Sequence, residues 1–265
     1  MEKIDILSLS PETLGQYLAE MGEPKFRAKQ LFSWLHQKQV TDFAQMTTLS
    51  LQLRQKLNEK FCINRLNIAR KLASSADDTV KYLYELPDGN FVETVLMDYH
   101  HGKSLCISTQ VGCRMGCQFC ASTIAGYVRD LQPSELLLQI YETQRDAGCR
   151  IDSIVLMGIG EPLDNFDNVV QFFRLLSHPD GMNMSLRHAA LSTCGLVPQI
   201  RQLADLRLGV TLSVSLHSPE NQRRSEIMPV NRRYPVEELL DACRYYFDTT
   251  GRRVTIAVSY THLTL

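Results

Sequence analysis

Three cysteines fall within eight residues in the segment Gly112-Cys113-Arg114-Met115-Gly116-Cys117-Gln118-Phe119-Cys120, and their spacing is C-x3-C-x2-C. Gly112 and Gly116 allow the backbone to bend and to approach a bound group closely. Three thiolates in such a loop can bind a four-iron cluster and leave one iron without a protein ligand. A structural zinc ion needs a fourth Cys or His nearby and tight pairs such as C-x2-C occurring twice, and the segment has neither. The spacing therefore favours a cluster, with zinc and inert or disulfide-bonded cysteines as the alternatives.

The composition indicates a reducing compartment. The chain has 265 residues, eight cysteines, 28 Lys and Arg and 29 Asp and Glu, for a formal net charge of −1. This is too long for a small secreted domain held by disulfides, and the N-terminus shows no apolar signal segment. No apolar run approaches the ~18 residues that span a bilayer. These features predict a cytoplasmic protein outside the membrane, and the balanced charge excludes a histone-like polycation.

Strands and helices alternate from about residue 104, which predicts parallel βα units and the α/β class. The predicted strands are Leu105–Thr109, Ser153–Met157, Ala189–Thr193, Val210–Leu216 and Val254–Val258, and helices are predicted to begin near Pro133, Asn165, Val197, Pro219 and Pro235. Ligands of such folds bind at the C-terminal ends of the strands. The loops after residues 109, 157, 193 and 216 are therefore candidates for a site.

The strand predicted at 210–216 has a polar face. Its apolar residues alternate with Thr211, Ser213, Ser215 and His217. A buried parallel strand is usually apolar on both faces. The polar face favours a strand that lines a cavity for a polar ligand, and a solvent-facing edge strand is the alternative.

Residues 1–62 predict a helical module. Ser10 can cap a helix with Pro11 at its first position, a second helix follows Pro24, and a third places Leu53 and Leu57 on one side. Basic side chains occupy the other faces, namely Lys25, Arg27, Lys29, Lys38, Arg54, Lys56 and Lys60. These basic residues form either an ordinary solvated surface or, alternatively, a surface that contacts RNA phosphates.

Residues 80–97 predict a β-hairpin around the turn Pro87-Asp88-Gly89-Asn90. The predicted domains are thus a helical module at 1–62, a β-hairpin extension at 63–103 and an α/β domain at 104–265.

The cysteine segment is one of several motifs that occur in a defined order. The others are Ser104-Leu105-Cys106-Ile107-Ser108-Thr109-Gln110-Val111, Met157-Gly158-Ile159-Gly160-Glu161-Pro162-Leu163, Ser192-Thr193-Cys194-Gly195-Leu196-Val197-Pro198, Ser215-Leu216-His217, and Arg224 through Met228-Pro229-Val230-Asn231. The cysteine spacing with Phe119 resembles the signature of the radical S-adenosylmethionine (SAM) enzymes. The full set resembles the RlmN-type dual-specificity RNA methyltransferases over nearly the whole chain, to about Ile256.

This resemblance implies a partial (β/α)6 radical SAM barrel, a [4Fe–4S] cluster and SAM as cofactors, and 23S rRNA and tRNA as partners. It also implies an electron donor such as flavodoxin or ferredoxin and a monomeric enzyme. The implied reaction adds a methyl group to C2 of an adenosine in the peptidyl-transferase region of 23S rRNA and in the tRNA anticodon loop. Adenine C2 has no lone pair to attack a sulfonium methyl group, which explains why a radical is needed. In the family, one SAM methylates a cysteine near the C-terminus, and a second SAM supplies the radical that takes hydrogen from that methyl group.

The site residues follow from the matching motifs. Cys113, Cys117 and Cys120 are expected to bind the cluster. The residues expected to bind SAM are Gly160, Glu161, Ser192, Ser215, Leu216 and His217. Glu93 is expected to accept the C2 proton, and Cys106 to release the RNA by forming a disulfide bond. Without the resemblance, Glu93 is an exposed hairpin residue and Cys106 a small buried hydrophobe.

Two of the remaining cysteines are expected to have structural roles. Cys194 ends a strand and is expected to pack against its neighbours, and Cys243 is expected in the core because it shares an apolar helix face with Leu239. Cys62 and Cys149 are unassigned.

Three other functions remain as alternatives. They are a Cfr-type methyltransferase acting at adenine C8, a non-catalytic iron–sulfur or zinc protein that binds RNA, and an activase that abstracts hydrogen from a glycine of a partner protein. Release of 5′-deoxyadenosine under reducing conditions separates a radical SAM enzyme from a binding module.

The sequence departs from the family pattern after Ile256, because residues 257–265 do not match the family's continuation. We therefore expect a C-terminally truncated barrel in which residues 257–265 are foreign to the family and the methyl-carrying cysteine is missing. A divergent short enzyme is the alternative. Such a chain is expected at most to bind the cluster, with or without SAM, and not to methylate RNA. Formation of 2-methyladenosine by the purified 265-residue chain would contradict this expectation.

Overall fold

The computed structural model describes residues 3–100 and 102–258. Its strands are β1 (Ile4–Asp5), β2 (Phe61–Cys62), β3 (Asn67–Ala73), β4 (Val80–Glu85), β5 (Phe91–Tyr99), β6 (Gly102–Cys106), β7 (Gln110–Gly112), β8 (Tyr127–Asp130), β9 (Ser153–Leu156), β10 (Ala189–Thr193), β11 (Thr211–Ser215) and β12 (Val254–Ala257). Its α-helices are α1 (Pro11–Glu20), α2 (Phe26–His36), α3 (Leu51–Lys60), α4 (Pro133–Ala147), α5 (Phe166–Ser177), α6 (Val197–Asp205), α7 (Asn221–Ile227) and α8 (Val236–Thr250). None of the described helices is both long enough and apolar enough to cross a membrane.

The predicted N-terminal helices are confirmed as α1, α2 and α3. The Ser10 hydroxyl accepts a hydrogen bond from the Thr13 N–H at 3.2 Å, which satisfies one free donor of the first turn of α1. Helix α2 packs against the α/β domain, because the ring centroids of Phe32 and His178 lie 4.7 Å apart. His36 Nδ1 also lies 2.9 Å from the Tyr141 hydroxyl of α4. The predicted domain boundaries stay predictions.

One eight-stranded sheet forms the centre of the molecule, in the order β12-β11-β10-β9-β6-β5-β4-β3. Strands β6 and β9 to β12 are mutually parallel, and β5, β4 and β3 continue the sheet in antiparallel order. The α/β class, the hairpin of β4 and β5, and the partial barrel of parallel strands are therefore confirmed. Strand β11 pairs with β10 and β12, so the edge-strand alternative for its polar face is wrong.

Two features of the sheet differ from the prediction. Strand β6 spans 102–106 rather than 105–109, because the chain then turns to bond the loop after β9. The Thr109 and Gln110 N–H groups donate to the Ile159 carbonyl at 2.8 and 3.2 Å. Strand β3 was not predicted, and all its residues are exposed, so it has no alternation of buried and exposed positions.

Helix α4 covers one face of the antiparallel extension. The Thr94 hydroxyl of β5 donates to Gln139 Oε1 at 2.8 Å, and the Tyr84 hydroxyl of β4 lies 2.8 Å from Thr143 Oγ1. Side chains alternate between the faces of a strand. Glu93 on β5 therefore points to the face opposite α4.

Candidate active site

The cysteine segment forms a loop closed at its base by pairing of β7 with β8. Gly112, at the start of the loop, has φ +73°, which favours glycine. A Cβ atom there would lie 1.8 Å from the carbonyl oxygen of Gly126, so no side chain fits. Gly116 also has positive φ, but a Cβ atom there would meet only Pro229 Cγ, at an ordinary 3.5 Å. Glycine at position 112 is therefore required by the close contact between the two sides of the loop, whereas the approach of the backbone to a bound group stays a prediction.

The loop faces a cavity of about 320 Å³ at the C-terminal ends of the parallel strands. Residues of four successive βα connections line it, namely Cys113, Met115, Cys117, Phe119, Cys120, Thr123, Leu156, Met157, Gly158, Gly160, Glu161, Ser192, Thr193, Cys194, Ser215, Met228 and Ala257. The structure thus brings together seven of the predicted site residues, namely Cys113, Cys117, Cys120, Gly160, Glu161, Ser192 and Ser215.

The three thiols of the loop are close enough to affect one another. Burial, followed by the neighbouring thiols of Cys113 and Cys120, raises the pKa of Cys117 to about 11. Burial also raises the pKa of Cys113, with Glu161 adding to the effect. The free thiols of Cys113 and Cys117 are therefore protonated at neutral pH, and a bound cation is needed to hold them as thiolates.

The donor set fits an iron–sulfur cluster rather than one ion. Among residues 3–100 and 102–258, no three His, Cys, Asp or Glu side chains are arranged to hold a single metal ion. Tetrahedral zinc needs four ligands at ~2.0–2.3 Å from one point. A four-iron cluster accepts more widely spaced thiolates, because each binds a different iron.

Glu161 lies in the glycine-containing loop after β9 and is buried. Its Oε1 accepts a hydrogen bond from the Leu163 N–H at 3.0 Å, and its Oε2 accepts one from the Cys194 N–H at 2.7 Å. Burial raises the pKa of this carboxyl, and these hydrogen bonds oppose the rise. Gly160 has φ +106°, and a Cβ atom there would lie 2.6 Å from Gln110 Cβ. The loop is therefore held tightly beside β7.

A polar network that was not predicted joins the cysteine loop to the loop after β9. The Gln110 amide nitrogen donates to Asp164 Oδ2 and Asp130 Oδ1, each at 2.8 Å, and its Oε1 accepts from the Glu161 N–H at 2.8 Å. Arg114 Nε donates to the same Asp164 oxygen at 2.7 Å. The network therefore fixes the position of Glu161 relative to the cysteines.

Strands β10 and β11 contribute Ser192 and Ser215 to the cavity. The predicted SAM-binding residues Leu216 and His217 follow β11, and their N–H groups donate to the Ala257 carbonyl at 3.0 and 3.3 Å. His217 is not among the residues that line the cavity, but its ring centroid is 4.5 Å from that of Phe119, which does line it.

Glu93 and Cys106 are not among the residues that line the cavity. The Glu93 carboxylate pairs with Lys81 Nζ at 2.6 Å, and its carbonyl accepts from the Ser108 hydroxyl at 2.6 Å. Ser108 Oγ in turn accepts from the Ile159 N–H at 3.0 Å, which connects β5 to the loop that contains Glu161. Cys106 pairs with Val95 across the sheet.

The other cysteines are placed as follows. Cys194 lines the cavity and contacts Glu161 rather than merely packing. Cys243 is buried in the core, as predicted. None of the eight cysteines, all of which lie in the described residues, forms a disulfide bond, so the structure provides no support for one.

A partial parallel barrel with a C-x3-C-x2-C loop after its first strand and a glycine-containing acidic loop after its second defines the radical SAM enzymes. Residues 107–263 match the sequence profile of the radical SAM superfamily. Residues 4–63 match that of the ribosomal RNA large subunit methyltransferase N-terminal domain. A crystal structure of a radical SAM methyltransferase from Sphaerobacter thermophilus is similar, with a TM-score of 0.90 and 39% identity over 96% of this chain and 76% of the other.

The relatives identify the family within this class. The probable dual-specificity RNA methyltransferase RlmN of Lachnospira eligens is 51% identical over 255 residues, which are 96% of this chain and 73% of the relative. The protein with the same name from Lachnoclostridium phytofermentans is 51% identical over 258 residues, covering 97% of this chain and 72% of the relative. The chain belongs to the RlmN family. As a member of this family, it is a SAM-dependent radical methyltransferase whose cofactors are a [4Fe–4S] cluster and SAM.

Proposed function

We propose that this protein belongs to the reaction that methylates C2 of an adenosine in 23S rRNA and in tRNA, and that this chain supplies the cluster and SAM sites of that reaction. The observation that supports the proposal most is the cavity that the cysteine loop shares with Glu161, Ser192 and Ser215. It combines soft ligands for an iron–sulfur cluster with a carboxylate and hydroxyls for a polar cofactor. The names of the relatives, which describe dual-specificity RNA methyltransferases, supply the substrate class.

In this proposal Cys113, Cys117 and Cys120 hold the [4Fe–4S] cluster. When bound, the cluster supplies the electron that splits the sulfonium of SAM homolytically. The Glu161 carboxylate accepts hydrogen bonds from the amino group of SAM, and the network around Gln110 keeps that carboxylate beside the cysteine loop. Gly160 lets the backbone approach SAM closely. Ser192, Ser215 and the segment of Leu216 and His217 complete the SAM site.

Glu93 and Cys106 are proposed to act on the RNA. Glu93 accepts the proton that leaves adenine C2, and its carboxylate lies 2.6 Å from Lys81 Nζ. Burial raises the pKa of the Cys106 thiol, so it stays protonated until the step that needs it. Cys106 would then release the RNA by attacking the sulfur of the methyl-carrying cysteine, which this chain is expected to lack. The S–S bond forms as the bond from that sulfur to the transferred carbon breaks, and the carbon keeps the electron pair and takes up a proton. Hydrogen bonds through Ser108 hold the backbone of Glu93 near the SAM-binding loop.

The helical module at 1–62 is proposed to contact RNA. Some of its basic residues are already engaged within the protein, since Lys29 pairs with Asp180 at 2.9 Å and Lys60 with Glu20 at 3.0 Å. The side chain of Lys29 is nevertheless 72% exposed and remains accessible to a phosphate. A flavodoxin or ferredoxin as electron donor, a cytoplasmic location and a monomeric state stay predictions.

Anaerobic reconstitution with iron and sulfide tests the cofactor site. The protein is expected to hold four irons, to change its spectrum on addition of SAM, and to release 5′-deoxyadenosine when dithionite is added. Cys120→Ala is expected to lose the cluster, whereas the matched Cys62→Ala, on β2 and outside the cavity, keeps it. A colourless zinc protein, or a cluster whose spectrum ignores SAM, would overturn the proposal.

Nucleosides from RNA incubated with the protein test the target. Any methyladenosine formed is expected to carry the methyl group at C2. Detection of 8-methyladenosine would instead assign the protein to the Cfr-type reaction, and hydrogen abstraction from a partner protein would indicate an activase.

A further inference from the structure

Arg224 is a wholly buried arginine beside the cysteine loop, with 0% of its surface exposed. Its Nε donates to the Leu216 carbonyl at 3.1 Å, and its Nη2 donates to the carbonyls of Cys194 at 2.6 Å and Ser215 at 3.1 Å. Its Nη1 donates to Asn231 Oδ1 at 2.9 Å. The guanidinium therefore links α7 to the C-terminal ends of β10 and β11, where the cavity lies.

All four of these acceptors are neutral. Within the described part of the chain, Arg224 forms no ion pair with a carboxylate. Charged side chains are almost never fully buried unless an opposite charge accompanies them. A negative charge that the side chains alone do not supply is therefore expected near Arg224.

The cysteine loop contacts α7, the helix that contains Arg224, because the Gln118 N–H donates to the Ile227 carbonyl at 2.9 Å. Burial lowers the pKa of the guanidinium, whereas the thiols of Cys194, Cys117 and Cys243 raise it. Of these three, Cys117 belongs to the C-x3-C-x2-C loop. A thiol bound to iron is a thiolate, so a cluster on this loop places negative charge within the field of Arg224.

The backbone next to Cys194 is shaped to admit this side chain. Gly195 has φ +111°, and a Cβ atom there would meet Leu239 Cδ1 at 2.9 Å and Arg224 Nη2 at 3.4 Å. The guanidinium thus reaches the Cys194 carbonyl through a turn that has no room for a side chain.

We propose that Arg224 is a positioning residue for the cofactor site and the buried counter-charge of the cluster, and that its charge raises the reduction potential of the cluster. The inference rests on the proposed assignment of the cluster to Cys113, Cys117 and Cys120. Reduction adds one electron and makes the cluster more negative. A cation held nearby in a medium of low dielectric constant stabilises the reduced form more than the oxidised form.

The test measures the midpoint potential of the reconstituted cluster by an EPR-monitored titration with dithionite, together with iron content and melting temperature. Arg224→Gln removes the positive charge. Arg224→Lys keeps the charge but not the planar arrangement of N–H donors of the guanidinium. Asn231→Asp keeps Arg224 and places a carboxylate against it. Arg223→Gln is the matched control, because Arg223 is the adjacent residue of α7 and is exposed, where solvent and salt screen its charge.

Arg224→Gln and Asn231→Asp are expected to move the potential to more negative values. The ratio of reduced to oxidised cluster at a fixed potential should fall about tenfold, which is about 59 mV for a one-electron couple. Arg224→Lys and Arg223→Gln are expected to keep a potential close to that of the unmodified protein, even where Arg224→Lys melts at a lower temperature.

Unchanged potentials in Arg224→Gln and Asn231→Asp would overturn the inference. A shift in Arg224→Lys as large as that in Arg224→Gln would also overturn it, because the effect would then come from the geometry of the side chain and not from its charge. Should Arg224→Gln not fold, Asn231→Asp decides alone, since it retains the buried guanidinium. If the unmodified protein assembles a SAM-responsive four-iron cluster and the potentials do not move, only this inference fails. If it assembles none, the proposed function fails as well.

Discussion

His36, at the end of α2, is a buried histidine that remains neutral far below its ordinary pKa. Phe32 and Tyr141 pack against it, with ring centroids 4.3 and 6.3 Å away. Burial, and to a smaller extent the charge of His178, lowers the pKa of His36 from 6.5 to about 3. The unfolded chain therefore binds a proton near pH 6.5, whereas the folded chain does not bind one until about pH 3. Stability from this residue is thus present above pH 6.5 and is lost as the pH falls.

We predict that the free energy of unfolding decreases between pH 6.5 and pH 3 by up to about 1.4 kcal/mol per pH unit because of His36. His36→Asn removes the titration and keeps a polar group near the Tyr141 hydroxyl. The variant is expected to be less stable at pH 7 but to lose stability less steeply in acid. Urea unfolding at several pH values measures the slopes, and equal slopes for both proteins would contradict the prediction.

Gly112 gives a second prediction, because its backbone allows no Cβ atom. Gly112→Ala combines an unfavourable φ of +73° with a contact of 1.8 Å to the Gly126 carbonyl, so the base of the cysteine loop must open. We expect reconstituted Gly112→Ala to hold less than half the iron of the unmodified protein.

Gly116→Ala is the control for Gly112→Ala, since its φ is also positive, at +72°, but its nearest contact is an ordinary 3.5 Å. It is expected to retain most of the iron. Equal iron losses in the two variants would show that backbone strain, and not the contact with Gly126, decides.

The site residues that were predicted from the sequence lie close together along the chain, whereas those that were missed interact with residues far away in the sequence. Cys113, Cys117 and Cys120 are close along the chain, so their spacing alone indicates their chemistry. Gln110 and Asp164 were missed because they meet across 54 positions, and Arg224 reaches the Cys194 carbonyl across 30. Such pairs depend on how the strands are ordered, which composition and periodicity do not specify.

The loops after β6 and β9 depend on one another through Asp164, which accepts hydrogen bonds from both Gln110 and Arg114. We predict that Asp164→Ala weakens SAM binding at least tenfold, about 1.4 kcal/mol, because the loop containing Glu161 loses its hydrogen bonds to the side chains of Gln110 and Arg114 through Asp164. The iron content should stay close to that of the unmodified protein, because all three cysteines remain.

Asp241→Ala is the control for Asp164→Ala, since it removes a surface ion pair with Arg201, away from the cavity. It should leave SAM affinity unchanged, because exposed ion pairs contribute little. SAM affinity is measured from the spectral change of the reconstituted cluster. Unchanged affinity in Asp164→Ala would mean that the network does not position Glu161.

Element types were easier to predict than element ends. Helix α4 begins at Pro133 and strand β10 spans Ala189–Thr193, as predicted, because a proline at the first helical position and a short apolar run are local signals. Strand β6 ends early because its continuation bonds the Ile159 carbonyl, a partner that lies about 50 residues away. Strand β3 contributes no buried side chain, so only its pairing with β4 defines it.

The helical module and the α/β domain share one apolar core. Buried side chains of α1, α2 and α3 belong to the same cluster as those of α4 and α5. Contacts of Phe32 with His178, and of His36 with Tyr141, cross between the two parts. Parts that share a core are expected to unfold together rather than in succession.

We therefore predict a single unfolding transition for the whole molecule. Trp34 is the only tryptophan of the chain and lies in α2, so its fluorescence reports on the module, whereas far-ultraviolet circular dichroism reports on all elements. The two signals should change at the same urea concentration. Phe32→Ala, which removes a wholly buried ring between α2 and His178, should lower the free energy of unfolding by about 3–5 kcal/mol and shift both signals equally. Phe26→Ala, on the same helix but 58% exposed, should change it by less than about 0.5 kcal/mol. If fluorescence changed at lower urea than circular dichroism, the module would be a separate folding unit and the shared core would not couple it to the barrel.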